Sequence, residues 1–227
     1  MYGADAPGAP HRWRSLHRSH LSEADLASAT AARLWLAFSG VTSIWVESLS
    51  RNFEEALNLM QAAVQDCTDE LWETSMWPVP RIEGWWGTLR GPDGTIEGDP
   101  AVQDQLIQRS SAPWFRAWHA LECLDYDLAG EMEPWKPPAP FERSYTGDVS
   151  RVWTRPEILG YVQWCRDRVR TTLELLTDEK AASPLPPAHR YGGQPYAWII
   201  SGLPGHTVEH ASQIRQFTND CRCRSTP

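Results

Sequence analysis

The sequence predicts an all-α protein, a four-helix bundle with long crossing loops and an N-terminal extension. Three segments space their large apolar residues three and four positions apart, the repeat that lines side chains along one side of an α-helix, and a fourth is apolar nearly all round. No segment alternates apolar and polar residues over a length that would make a half-buried strand, and no internal repeat is visible. Stretches dense in Pro and Gly, which end helices, separate the segments. Four antiparallel helices with two long crossings are the simplest architecture for these segments.

The first helix is predicted from Asn52 to Trp72, where Phe53, Leu57, Met60, Val64, Cys67 and Leu71 form one buried stripe. Upstream, Glu23 to Phe38 is Ala-rich with Leu26, Leu34 and Leu36, but its stripe is weaker, so residues 1–51 read as a partly helical arm. Between Met76 and Ser111 lie Trp77-Pro78-Val79-Pro80, Gly84-Trp85-Trp86-Gly87 and Gly91-Pro92-Asp93-Gly94. A connection of this length is commonly a lid or binding loop, and exposed indoles are costly unless they cover something apolar. Trp85 and Trp86 are therefore the candidate residues for covering a pocket and holding an organic ligand.

A second helix follows Pro113 and is apolar nearly all round through Tyr126, which makes its few polar residues informative. The third begins at Thr154-Arg155-Pro156-Glu157, which has capping-box spacing, and carries the stripe Ile158, Val162, Cys165, Val169, Leu173 and Leu176. The fourth spans Tyr196 to Thr218 with Tyr196, Ile200, Leu203, His206, His210, Ile214 and Phe217 on one stripe, and Pro204-Gly205 is expected to kink it or delay its start. Residues 52–218 are read as the domain and 219–227 as a C-terminal tail.

The formal charge of -8 opposes a broad phosphate-binding surface, so nucleic acid is not an expected partner. The apolar stretch from Ala31 to Val46 is broken by Arg33, Ser39, Thr42 and Ser43 and is too short to span a bilayer, so no membrane partner is expected either. Glu23 and Asp25 lie where an export signal would run into its apolar core, which leaves a cytoplasmic location. Cys67, Cys123 and Cys165 fall on apolar faces, as buried thiols in a reducing compartment would, while Cys221 and Cys223 read as an exposed tail. Exposed tryptophans and bundle faces also permit a homodimer.

His206 and His210, four residues apart, share one helical face and can share one ion. Their place on an apolar stripe strengthens this reading, because burying two imidazoles without partners would be costly. His119 is the only histidine on the second helix. Three inward histidines on facing helices form a set suited to zinc, nickel or iron, with further positions left for water or substrate. Glu122, Glu209 and Tyr126, each near a ligand in sequence, are the candidate acid, base or substrate-orienting groups. His11, His17, His20 and His189 are expected to be solvated.

Ala117-Trp118-His119-Ala120-Leu121-Glu122-Cys123-Leu124-Asp125-Tyr126-Asp127-Leu128 and Gly205-His206-Thr207-Val208-Glu209-His210-Ala211-Ser212-Gln213-Ile214, with the charged third helix between them, resemble the DinB-like (damage-inducible B) metalloenzyme superfamily. The resemblance covers about Asn52 to Thr218. It implies a four-helix bundle that binds a divalent metal through His119, His206 and His210. It further implies transfer or isomerisation assisted by a low-molecular-weight thiol, metal-dependent hydrolysis through a metal-bound water, or no reaction at all. Coordination keeps a thiolate deprotonated near neutral pH, which suits an S-transferase or isomerase acting on a small electrophilic substrate.

His206-Thr207-Val208-Glu209-His210 also matches the pattern of inverted zinc peptidases, but these resemble one another in drawing a further acidic ligand from well downstream, and Asp220 is the sole acid after His210. A non-catalytic module in which metal only staples the helices is the remaining alternative. Structural sites are usually closed by four ligands, and three histidines leave an opening, which favours an enzyme.

Overall fold

The computed structural model describes residues 43–78, 108–130, 135–142, 151–189 and 191–224. Among them the regular structure is helical: α1 (Ile44–Asp66), α2 (Asp69–Trp72), α3 (Pro113–Ala129), α4 (Arg155–Glu174), α5 (Asp178–Ala182) and α6 (Tyr196–Arg224). An isolated bridge joins Pro184 to Pro195, and no strand forms among the described residues. All six helices belong to the compact unit Ile44–Pro227. Among the described residues no helix is long and apolar enough to cross a membrane.

The four predicted helices are present with shifted ends. α1 begins at Ile44 rather than Asn52 because Val46 and Leu49 carry the stripe of Phe53, Leu57, Met60 and Val64 back by two turns. It stops at Asp66, so Cys67 lies buried just beyond its end and Leu71 sits on the short α2. In α3 every residue except His119 and Ala129 is buried, as the all-round apolar sequence demands. Gly130 ends it with a left-handed φ of 70° and an N–H donated to the Asp127 carbonyl, and a Cβ there would sit 3.2 Å from the Tyr196 ring.

α4 opens with the capping box foreseen from its sequence. Thr154 Oγ1 accepts the Glu157 N–H, and the Glu157 carboxylate accepts the Thr154 N–H at 2.8 Å. Arg151 Nη2, 2.6 Å from Glu157, is the main reason that this carboxyl is held down to about 2. Ile158, Val162, Cys165, Val169 and Leu173 are buried as expected.

α6 starts at Tyr196 as its predicted span had it and ends later than predicted. It runs through Pro204 without a late start or a break, although proline offers no N–H to the preceding turn, because Ile200, Leu203, Pro204 and Thr207 are all buried against the core. It also continues through Cys221 and Cys223 to Arg224, and Arg222 Nη2 donates to the Asp66 carbonyl at 2.7 Å. Residues 219–224 thus extend the helix beyond the predicted end at Thr218. Thr218 is buried while Phe217 is only partly so.

α1 and α3 each pack along both α4 and α6, with lesser contact between α1 and α3 themselves. The core at their centre includes Phe53, Met60, Trp118, Leu121, Tyr161 and Ile214, and each apolar side chain so buried contributes roughly 1.5–3 kcal/mol. Thr154→Ala should lower unfolding stability by about 1 kcal/mol in a denaturant melt, since it removes the acceptor that starts α4.

Candidate metal centre

The packing of α3 against α6 sets His119 opposite His206 and His210, with its ring centroid 5.4 Å from each. One turn of α6 separates the latter two, whose centroids are 4.6 Å apart. One potential ligand atom from each of the three lies within 4.8 Å of the others. His210 is buried, and His119 and His206 are partly exposed, so the group opens on one side.

The donors fit a single divalent ion. Two nitrogens each about 2.1 Å from an ion lie about 3.0–3.4 Å apart for angles between a right angle and the tetrahedral angle. His206 Nε2 and His210 Nε2 are 3.1 Å apart. The whole group spans no more than 4.8 Å between ligand atoms, and His119 is partly exposed.

Gln213 sets the state of His210. Its Nε2 donates to Glu209 at 3.4 Å, which leaves Oε1 to accept from His210 Nδ1–H at 2.9 Å. His210 Nε2 therefore presents its lone pair towards His206. Burial pushes the His210 imidazole down to about 4, opposed by the Gln213 hydrogen bond and reinforced by the charges of His206 and Arg116. The result at neutral pH is an uncharged imidazole, the form that ligates metals. On α3, His119 stacks on Phe115 with centroids 6.3 Å apart, and Cys123 Sγ lies 3.7 Å from its Nδ1.

The other predicted site residues fall in different surroundings. Glu209 is exposed and joins the imidazoles through Gln213. Glu122 is buried, and its charge acts on the Tyr161 hydroxyl of α4. Tyr126 stacks on His189 at 5.1 Å and meets the edge of Trp135 at 5.3 Å. Trp85, Trp86, His11, His17 and His20 lie outside the described residues.

His189 is buried rather than solvated as its loop position had implied. The connection folds back on itself, with Leu185 N–H donating to the Gln194 carbonyl and His189 N–H to that of Pro186. His189 Nδ1 then accepts the Tyr191 N–H at 3.1 Å, and Nε2 lies 3.3 Å from Asp127 on α3.

Sequence reasoning passed over Gln213 and Arg116. Gln213 was legible as the residue one turn beyond His210, and Arg116 as a charge on an otherwise apolar helix. Comparison with protein-family models, with curated proteins and with solved structures finds no match to this chain.

Gln213→Leu should weaken metal binding about 10–100-fold in a competitive chelator titration, because His210 loses the partner that fixes its tautomer. The metal-free protein should also lose stability as pH falls. The unfolded His210 binds its proton near 6.5 and the folded one near 4, so the unfolded state holds more protons between these values. Melts across that window should show a loss of up to about 3 kcal/mol, and His210→Gln should lack most of it.

Proposed function

We propose that this chain is a divalent-metal-dependent enzyme of the DinB-like type, in which α1, α3, α4 and α6 form a four-helix bundle and His119, His206 and His210 hold zinc, nickel or iron. Its reaction is transfer or isomerisation of a small electrophile with a low-molecular-weight thiol as cosubstrate. The observation that carries this reading is the approach of His119, from a separate helix, to within 4.8 Å of the His206–His210 pair. Two histidines one turn apart are common, whereas a third converging on them from a buried helix is what a facial ligand set requires.

The bound ion would supply a means of keeping a thiol deprotonated near neutral pH. The protein's own groups prepare the site for it. Burial and Gln213 keep His210 uncharged, Phe115 and the buried wall of α3 shield one side, and the partly exposed His119 and His206 border the open side from which thiol and substrate enter. Glu209, placed through Gln213, is the carboxylate available to orient a substrate or hold a proton.

Metal analysis of the purified protein should find bound divalent ion in the wild type and its loss in His119→Ala and His206→Ala. The metal-loaded protein should then consume mycothiol-like or bacillithiol-like thiols in the presence of an electrophile. No metal in the wild type sinks the whole reading. Metal accompanied by hydrolysis that needs no thiol sinks the transferase and favours a hydrolase.

A further inference from the structure

We infer that Arg116 is the anion-recognising group of the three-histidine site, so that the small molecule accepted there carries a carboxylate beside its reacting atom. The inference rests on the proposed function for where chemistry occurs, and on Arg116 itself for the charge.

Arg116 precedes His119 by three residues and shares its side of α3. Only 7 % of it is exposed, and its buried Nε has no hydrogen-bond partner. Among the described residues no carboxylate lies within ion-pair distance of it. Its guanidinium carbon is 5.3 Å from the centre of the Trp77 ring. The charge is close enough to act on both His210 and Glu209, yet Glu209 is exposed and turned to Gln213.

Arg166 and Arg168 likewise bury an Nε without a hydrogen-bond partner, but each has a carboxylate within ion-pair distance. Arg168 lies 3.3 Å from Asp125, and Arg166 donates to Asn58 and Gln61 and approaches Glu54. A buried cation without a counter-ion is costly, and a methionine of similar length would fill the space at no such cost. What the guanidinium adds is a fork of donors matched to a carboxylate.

The test loads the protein with Co²⁺ and titrates mercaptoacetate against its neutral counterpart 2-mercaptoethanol, following the cobalt spectrum. The wild type should bind mercaptoacetate about tenfold more tightly. Arg116→Met should bring the ratio near unity while leaving 2-mercaptoethanol binding unchanged, and Arg116→Gln replaces it if that variant does not fold. Equal affinities in the wild type, or a preference that survives in the variant, overturn the inference. If the wild type takes up no cobalt, the metal reading fails by itself, and melts of the metal-free protein decide the anion site. Mercaptoacetate raising the wild-type midpoint but not the variant's supports the site, and equal shifts in both overturn it.

Discussion

The constraint on which the structure turns is the burial of α3. A helix covered on nearly every side must find a partner for each polar group it carries, since desolvating such a group without one costs more than its packing returns. Asp125 shows the demand met in full. Its carboxylate receives the indole N–H groups of Trp135 at 3.1 Å and Trp164 at 3.3 Å and the Tyr161 hydroxyl at 3.3 Å, with Arg168 at 3.3 Å. Burial raises its pKa, and these donors oppose that rise. Asp127 plays the same part towards the connection before α6, through His189.

These partners are distributed by helical geometry. At 3.6 residues per turn Asp125 points about 180° away from Arg116, and Glu122 lies about 60° from both Asp125 and His119. The side of α3 facing α4 therefore holds the satisfied carboxylate, while Arg116, His119 and Cys123 share the side facing α6. The first set fixes α3 in place and the second meets the His206–His210 pair. Because α6 continues unbroken through Pro204, its two imidazoles keep the spacing of one regular turn, which their 3.1 Å separation requires.

Much of this was legible in the sequence for a simple reason: period and burial are the same information. The stripes of α1 and α4, the capping box at Thr154 and the all-round apolar α3 each followed from local spacing, and so did the shared face of His206 and His210. What local spacing does not contain is tertiary pairing. That His189 reaches Asp127, or that α1 begins at Ile44, depends on contacts across the fold rather than on residues three or four apart. Of the two effects expected of Pro204, the delayed start does not occur, because the turns around it are buried in a continuous helix.

The polar residues of α3 also distinguish scaffold from site. Asp125 is enclosed with donors belonging to the fold, and Asp127 lies 3.3 Å from the buried His189, so both face other parts of the fold. His119 meets two other imidazoles, groups that repel one another when protonated and that a shared ion would reconcile. Arg116 has a tryptophan ring on its face and a buried Nε without an acceptor. Both residues thus want something of the charge opposite to their own: electron pairs on the histidines want a cation, and donors on the arginine want an anion. A metal bound beside an anionic small molecule would satisfy both at once, which is why the proposed chemistry is assigned to the open side of the three-histidine group rather than to the filled α3–α4 seam.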